Sequence, residues 1–179
     1  MNYTCKLIHT ELSIEDKQIL KSIELELEKI TLRKSYVTTK CDRGHSLRTG
    51  TTDQPNARQS VFRKNKPSLL YKKYPHIMDL FEIFINSHSP SFKFSSVYIN
   101  KNTVCKKHVD SKNTGESLIV SFGDFTGGEI VLYNNQNSFN DKSQPYEINI
   151  QYRSLIFDGS KIYHSSNEFE GLRYSIVFF

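Results

Sequence analysis

The amino-acid sequence predicts an α+β protein in which two helices from the first half of the chain pack on a β barrel or jelly roll formed by the second half. Two amphipathic stretches lie before residue 91. From Phe92 onward, short runs rich in Val, Ile, Phe and Tyr alternate with Asn, Gly, Asp and Lys, as is typical of strands. At 179 residues the chain is long enough for one domain with a sizeable core. We therefore expect a single domain over 1–179, with helices and a basic loop in 1–91 and the β core in 92–179.

The first helix is predicted to begin at Ser13, because Asp16 follows three residues later and resembles the acidic partner of a capping box. The next apolar residues recur at offsets that lie on one face of a helix: Ile19, Leu20, Ile23, Leu27 and Ile30. This pattern indicates a helix that packs against a sheet.

A second helix is predicted to begin at Pro75 and to end near Ser87, because proline suits the first turn. Its buried stripe consists of Ile77, Leu80, Phe81, Phe84 and Ile85. Residues 33–68, between the two helices, show no sustained period and contain several Gly, Pro, Thr, Ser and Asn. We expect mostly loop there, with a short strand near Ser35 to Thr39.

About eight strands are predicted after Phe92 from runs of β-branched and aromatic residues. They are placed near Phe94 to Ile99, Lys106 to Val109, Leu118 to Phe122, Glu129 to Tyr133, Tyr146 to Ile150, Ser154 to Phe157, Ile162 to His164 and Arg173 to Phe178.

The formal charge of +5 is concentrated in one segment. Between Arg33 and Lys73 there are eleven Lys or Arg residues and only two acids. Such a segment is a candidate contact for a polyanion. Within it, we expect Arg58, Arg63 and Lys64 to contact substrate.

Neither a secretory signal nor a membrane span is predicted, because no apolar run approaches the roughly 20 residues that a bilayer requires. Three scattered cysteines, Cys5, Cys41 and Cys105, form no CxxC pair and fit thiols in a reducing compartment. We expect an intracellular protein, cytoplasmic or nuclear, without a membrane partner. The oligomeric state stays open, with a monomer favoured.

One pair of residues has the spacing of metal ligands. His108 and Asp110 are separated by one residue, so on a strand both side chains project from the same face. His164, 54 residues after Asp110, is the candidate third ligand. Two imidazoles and one carboxylate leave open positions on a metal and suit ferrous iron better than magnesium or calcium.

Three further residues are candidates for binding a co-substrate. Arg173, nine residues after His164, carries a guanidinium that pairs with carboxylates through two parallel hydrogen bonds. Ser175 shares its face of the predicted strand, and Tyr98 offers a phenol ten residues before His108.

From Ser95 to Phe179 the sequence resembles the double-stranded β-helix core of the 2-oxoglutarate and iron(II)-dependent oxygenases. The HxD...H motif of that family falls on His108, Asp110 and His164, and its co-substrate arginine falls on Arg173. Prolyl-hydroxylase-like members are similar at Tyr98, at the HVD triplet and at a Gly-Gly pair. The passage that begins HVDSKNTGES and the ending RYSIVF are similar to the branch of the TET methylcytosine dioxygenases and the J-binding-protein thymine hydroxylases.

The resemblance implies an oxidoreductase that requires Fe(II), 2-oxoglutarate and O2, and that hydroxylates a C–H bond while 2-oxoglutarate is decarboxylated to succinate. Together with the basic segment, it favours DNA modification at a nucleic-acid base of the 5-methylcytosine or thymine type. The alternative is a hydroxylase that acts on prolyl or other protein side chains, with a peptide as its partner. A binding module that has lost its metal is a third possibility, and the intact motif argues against it.

Overall fold

The computed structural model describes residues 7–34, 41–52, 66–67, 72–111, 113–133 and 145–179. Helix α1 (Ile14–Glu28) begins at the predicted capping box. The Asp16 amide donates to Ser13 Oγ at 3.0 Å, and the Ser13 amide donates to the Asp16 carboxylate at 3.2 Å, so two amides of the first turn find acceptors. Helix α2 (Pro75–His88) starts at the predicted proline. Both predicted helices are confirmed.

Thirteen strands lie in the described part of the chain. They are β1 (Ile8–Glu11), β2 (Arg33–Lys34), β3 (Cys41–Thr52), β4 (Lys66–Pro67), β5 (Ser96–Cys105), β6 (Ser117–Phe122), β7 (Phe125–Gly127), β8 (Ile130–Leu132), β9 (Tyr146–Ile148), β10 (Arg153–Phe157), β11 (His164–Ser166), β12 (Phe169–Gly171) and β13 (Tyr174–Phe178).

The largest sheet has the order β1-β10-β6-β13-β5-β3-β2, with β4 paired to β3. A smaller sheet has the order β11-β8-β9, and β12 pairs with β7 beside it. The chain runs from β7 directly into β8 and from β11 directly into β12, and two backbone hydrogen bonds link these ladders: Gly128 to Glu168 and Asn167 to Glu129, each 2.9 Å. All pairs between named strands are antiparallel.

Two apolar cores lie on opposite faces of the large sheet. The first joins the helices to the sheet, with Leu20 and Phe84 packed among residues such as Val97 and Phe178. The second joins the small sheet to β10, and consists of Ile130, Leu132, Ile150, Leu155 and Phe157. The molecule is therefore layered as helices, large sheet and small sheet, which agrees with the predicted α+β class and with a jelly roll.

Residues 33–68 differ from the predicted loop, because β3 occupies twelve of them and pairs along β5. Its sequence, CDRGHSLRTGTT, lacks an apolar alternation, so only its nonlocal pairing with β5 identifies it as a strand. The short strand predicted near Ser35 to Thr39 lies outside the described residues.

The prediction of a regular strand near Lys106 to Val109 is wrong. In this segment His108 forms an isolated β-bridge with His164. Strand β5 continues to Cys105, well beyond the predicted end at Ile99. Strands β1, β7 and β12, each three or four residues long, were not predicted. Among the described residues, neither helix combines the length and the apolar character that crossing a bilayer would require.

Candidate metal centre and its cavity

The three predicted metal ligands come together. Their nitrogen and oxygen ligand atoms all lie within 4.8 Å of one another, and among the described residues they are the one such group of His, Cys, Asp or Glu. The Nε2 atom of His108 is 3.6 Å from Asp110 Oδ1, and that of His164 is 3.7 Å from Asp110 Oδ2. Protein metals hold N and O ligands at about 2.0–2.2 Å, so two such bonds span up to about 4.4 Å. The gaps leave room for one ion.

Backbone pairing holds the two histidines next to each other. His108 and His164 exchange both N–H···O bonds, each 2.9 Å long. The Asp110 amide donates to the carbonyl of Gly159 at 2.8 Å, which fixes the carboxylate beside the two rings. The two histidines, 56 positions apart in the sequence, therefore meet because the segment through His108 adds to the edge of the small sheet at β11.

The tautomer of each histidine follows from its second hydrogen bond. The Nδ1 atom of His108 lies 2.6 Å from the carbonyl oxygen of Lys106, and that of His164 lies 2.9 Å from the carbonyl oxygen of Ile162. A carbonyl can only accept, so each Nδ1 carries the proton and donates it. Both Nε2 lone pairs are thereby directed toward Asp110. Metal-binding histidines are commonly fixed in this manner.

Arg173 lies 3% exposed, immediately before β13. Its Nη2 donates to the Gly128 carbonyl at 3.1 Å, whereas its Nε has no hydrogen-bond partner in the described structure. The guanidinium carbon is 5.5 Å from the centre of the Phe125 ring and 5.6 Å from that of Phe169, within cation–π range. Burial lowers the pKa of Arg173 to about 10, so the side chain stays charged at neutral pH.

Gly128 makes room for this arginine. A Cβ at Gly128 would lie 2.9 Å from Arg173 Nε and 3.0 Å from its Cδ, and the glycine has a φ of +72° that other residues rarely adopt. The predicted Gly-Gly pair therefore allows the arginine side chain to pass close to the backbone at the junction of β7 and β8.

One cavity of about 430 Å³ brings the metal cluster and the arginine together. Its wall contains all six predicted site residues: Tyr98, His108, Asp110, His164, Arg173 and Ser175. Ser175 Oγ accepts a 3.4 Å hydrogen bond from Asn100, and Tyr98 lies 38% exposed. The predicted substrate contacts Arg58, Arg63 and Lys64 lie outside the described residues.

Sequence reasoning missed several residues of the cavity wall. Asn100, Thr103 and Cys105 follow Tyr98 along β5. Simple alternation predicts Asn100 but not the next two, because Asn102 has a positive φ of 51° and shifts the alternation by one residue. The side-chain oxygen of Asn102 also accepts a 2.9 Å hydrogen bond from the Arg173 amide. The irregularity of β5 therefore helps to hold the arginine in place.

No protein-family model matches this sequence, and no curated protein matches it. Solved structures do match. An oxidoreductase of the 2OG-Fe(II) oxygenase family from Burkholderia pseudomallei superposes with a TM-score of 0.61 at 14% identity, over 89% of this chain and 77% of that one. OsALKBH1 superposes with a TM-score of 0.59 at 13% identity, over 99% and 98%.

A prolyl hydroxylase from Trichoplax adhaerens, in complex with a peptide fragment of the hypoxia inducible factor oxygen degradation domain, gives a TM-score of 0.56 at 11% identity. The match covers 98% of this chain and 82% of that one. At these identities the likeness assigns the fold, which is that of the 2OG-Fe(II) oxygenases.

Proposed function

We propose that this protein is a 2-oxoglutarate- and Fe(II)-dependent dioxygenase with His108, Asp110 and His164 as its metal ligands. The observation that carries the proposal is that the two Nε2 lone pairs and the carboxylate converge at metal-binding distances in the wall of the cavity that also contains Arg173. The donor set of two imidazoles and one carboxylate suits iron(II) and leaves coordination positions for other ligands. We take the layered sheets to be the double-stranded β-helix of the predicted family.

Arg173 fits the distal carboxylate of 2-oxoglutarate. Its buried Nε has no hydrogen-bond partner among the described residues, which costs free energy unless a ligand supplies an acceptor. A carboxylate in the cavity would accept from the guanidinium and balance its charge in a site with little water. The Ser175 hydroxyl and the Tyr98 phenol lie in the same wall and would add hydrogen bonds.

When bound, iron(II) with 2-oxoglutarate and O2 supplies the oxidising chemistry that hydroxylates a C–H bond and releases succinate and carbon dioxide. The protein's own residues provide geometry and charge. The carbonyls of Lys106 and Ile162 hold both imidazoles in the ligating tautomer, and Arg173 orients the co-substrate. Phe125, Phe157 and Phe169 are buried around these groups and exclude water.

For the substrate, we propose a nucleic-acid base of the 5-methylcytosine or thymine type. The similarity of the HVDSKNTGES passage and the RYSIVF ending to the TET and J-binding-protein branch supports a base. The register of the large sheet supports it further, because β3 carries cations of the basic segment alongside the cavity-lining strand. Arg48 is the Cα partner of Tyr98, and Arg43 that of Val104.

A phosphate backbone bound along β3 would thus lie next to the strand that lines the cavity. To place a base next to the metal, the enzyme would have to bind single strands or a flipped nucleotide. Aromatic residues of the basic segment, such as Tyr36 and Phe62, would stack on bases.

The second candidate function is hydroxylation of a prolyl or other protein side chain. The structural likeness to a prolyl hydroxylase solved with a peptide favours it, as does the presence of Tyr98 in the wall of the cavity that contains the metal cluster. An acidic peptide would use the same basic segment.

Turnover is the first test. Purified protein loaded anaerobically with iron(II) and then exposed to O2 should convert 2-oxoglutarate to succinate, and should add one oxygen to a substrate in a panel of methylated DNA, unmethylated DNA, RNA and a prolyl peptide. Mass spectrometry detects the added oxygen. Oxygen in the peptide alone would contradict the base proposal, and absence of succinate with every substrate would contradict the oxygenase proposal.

Binding at different salt concentrations tests the basic segment separately. Arg58→Ala, Arg63→Ala and Lys64→Ala together should flatten the slope of log affinity against log salt for DNA by up to about one unit per lost phosphate contact. The control removes three cations from α1 and its C-cap, by Lys17→Ala, Lys21→Ala and Lys29→Ala, and should leave the slope unchanged. If the slope of log affinity against log salt is equal in the two triple variants, Arg58, Arg63 and Lys64 do not contact the DNA.

A further inference from the structure

The turn from Asp158 to Ile162, which joins β10 to β11, holds two of the three candidate metal ligands. Its Gly159 carbonyl accepts the Asp110 amide at 2.8 Å, and its Ile162 carbonyl accepts from His164 Nδ1 at 2.9 Å. The turn also lies against the ligand side chains, because a Cβ added at Gly159 would be 3.6 Å from both Asp110 Oδ2 and His164 Cε1. The path of this segment, the Asp158 turn, therefore sets where both ligands lie.

The Asp158 turn is fixed by its first residue. Oδ1 of Asp158 accepts from the Ser160 amide at 3.1 Å and from the Ser160 hydroxyl at 2.6 Å. Oδ2 accepts from the Lys161 ammonium at 2.6 Å, and the Asp158 carbonyl accepts the amides of Lys161 and Ile162 at 3.1 and 2.9 Å. An aspartate that bonds the amide two residues later imposes its own turn on the backbone. Asp158 thus gives the turn its shape.

Asp158 is buried, whereas its ion-pair partner is mostly in solvent. Only 8% of Asp158 is exposed, against 59% of the Lys161 side chain. Burial alone would raise the pKa of Asp158, but hydrogen bonds from Lys161 and Ser160 outweigh it and hold that pKa below its ordinary value. The carboxylate is therefore charged at neutral pH and accepts through both oxygens. Its loss would release the Ser160 end of the turn.

We propose that Asp158 is a positioning residue of the metal centre, because it fixes the turn whose Gly159 and Ile162 carbonyls hold Asp110 and His164. This assignment rests on the proposed function of the three metal ligands. A metal site requires its ligands to be held within about 0.5 Å of the binding geometry. Loss of a residue that orients metal ligands typically weakens metal binding about 10- to 100-fold. We expect Asp158 to act at this level.

A matched control lies before β10, at the other end of that strand from Asp158. Asn149 Oδ1 accepts the Gln151 amide at 2.8 Å, which is the same bond from a side chain to the amide two residues later. Gln151 in turn donates through its side chain to the carbonyls of Gly123 and Phe125. Asn149→Ala therefore removes a bond of the same kind at a turn that does not join β10 to β11.

The first test is anaerobic equilibrium dialysis of iron(II) against the full-length variants, with circular dichroism to establish that each is folded. Asp158→Ala should bind iron(II) at least about 10-fold more weakly than wild type. Asp158→Asn keeps an oxygen for the Ser160 amide and should bind within about threefold of wild type, as should Asn149→Ala. Folded Asp158→Ala that binds iron(II) as tightly as wild type, or no more weakly than Asn149→Ala, would overturn the proposal.

The second test separates ligand geometry from stability. Cobalt(II) bound in place of iron(II) gives visible absorption bands whose positions depend on how the ligands are arranged. At saturating cobalt(II), the bands of Asp158→Ala should shift, whereas those of Asn149→Ala should match wild type. A variant that only loses folded protein would give weaker bands at unchanged positions. That result for Asp158→Ala would reduce Asp158 to a structural role and overturn the proposal.

Ser160→Ala supplies the test if Asp158→Ala does not fold. It removes only the 2.6 Å hydroxyl bond to Asp158 and leaves the amide bond in place. Iron(II) affinity should fall about two- to fivefold, with a smaller shift of the cobalt bands. Unchanged affinity and unchanged bands would overturn the positioning role. Wild-type protein that binds neither iron(II) nor cobalt(II) would instead overturn the proposed function.

Discussion

Two clusters of this protein are built from the same kinds of side chain and differ in the distance from imidazole nitrogen to carboxylate oxygen. On the helix side of the large sheet, His88 lies 3.0 Å from Asp16 and also bonds Ser154 of β10. On the opposite side, His108 and His164 lie 3.6 and 3.7 Å from Asp110 at the cavity. The contrast distinguishes a histidine that holds elements together from histidines that are placed to bind an ion.

In the helix-side cluster, both carboxylate oxygens of Asp16 accept hydrogen bonds. Oδ1 accepts from Ser87 Oγ at 2.7 Å, and Oδ2 accepts from His88 Nδ1 at 3.0 Å and from the Ser13 amide at 3.2 Å. The other ring nitrogen of His88 shares a 2.6 Å hydrogen bond with the Ser154 hydroxyl. The cluster thereby fastens α1, α2 and β10 together, and both ring nitrogens of His88 are engaged in hydrogen bonds.

In the cavity cluster, each imidazole donates through Nδ1 to a backbone carbonyl. The two Nε2 atoms lie 3.6 and 3.7 Å from the Asp110 carboxylate, which is longer than a hydrogen bond and fits an ion between them. Among the described residues, the buried Nε of the nearby Arg173 has no hydrogen-bond partner. A buried donor in this state indicates a site that is completed by a ligand.

The comparison is tested most strongly by His164→Ala. This variant should lose iron-dependent turnover of 2-oxoglutarate entirely, because one of three ligands is gone, and succinate formation should fall to the level without iron. The matched control is His76→Ala, which removes an exposed histidine from α2 and should keep full turnover. Turnover in folded His164→Ala protein would show that the cluster is not the metal site.

The converse variant, His88→Ala, should affect stability rather than chemistry. Removing the ring leaves the buried Asp16 carboxylate short of a partner, which should lower the free energy of unfolding by about 3 kcal/mol. Urea denaturation measures this loss. His76→Ala serves here as well, since its bond to Glu26 is exposed to solvent and should contribute little to stability. Equal destabilisation of the two variants would mean that the buried cluster stabilises the protein no more than an exposed hydrogen bond does.

Arg173→Lys tests whether the paired N–H donors of the guanidinium contribute to 2-oxoglutarate binding in addition to its charge. Lysine keeps the charge but loses the paired donors, so the KM for 2-oxoglutarate should rise about 10- to 100-fold, corresponding to about 1.4–2.8 kcal/mol. Steady-state kinetics with varied 2-oxoglutarate measure the effect, and kcat at saturation should change less than KM. An unchanged KM would remove Arg173 from the co-substrate site.

Gly128→Ala should displace the side chain of the same arginine, because Gly128 lies against it. The added Cβ would displace Arg173 Nε and Cδ, so co-substrate binding should weaken severalfold in addition to a backbone penalty of about 1–2 kcal/mol. Gly115→Ala is the matched control, because Gly115 has a similar φ of +83° with no atom within 4 Å of its added Cβ. If both variants weaken 2-oxoglutarate binding equally, the effect does not come from contact with Arg173.

The smallest expected effect is a pH dependence of stability from the helix-side cluster. Burial alone would raise the pKa of Asp16, but hydrogen bonds from Ser87, His88 and Ser13 together outweigh it and hold that pKa below its ordinary value. A carboxyl whose folded pKa is depressed stabilises the protein above its unfolded pKa of about 3.9. That stability is lost as the pH falls through the folded pKa. Denaturation midpoints measured from pH 6 to pH 3 should fall less in Asp16→Asn than in wild type.

What could be predicted from the sequence was mainly local. Helix α1 was found because Ser13 and Asp16 form a capping box over a four-residue span, and α2 because its apolar stripe follows Pro75. Strand β3 was missed because its pairing partner lies some 50 residues away and its own residues do not alternate. Propensity describes a short segment, whereas sheet pairing joins distant ones.

The candidate site shows the same division. His108 and Asp110 have diagnostic spacing, and the cavity brings them together with the predicted His164 and Arg173. His88, which has no partner at metal-ligand spacing in the sequence, is a buried packing residue. The bond from His88 to Asp16, 72 positions away, has no sequence signal, because it depends on how the two helices pack against each other.

The most direct test of the central claim is anaerobic equilibrium dialysis of iron(II) and 2-oxoglutarate against wild type, His164→Ala and Arg173→Lys. We expect wild type to bind one iron per chain and one 2-oxoglutarate, the latter tightly only when iron is present. His164→Ala should bind neither tightly, and Arg173→Lys should bind iron normally but 2-oxoglutarate weakly. Wild-type protein that binds no iron, or that binds it equally well without His164, would contradict the account.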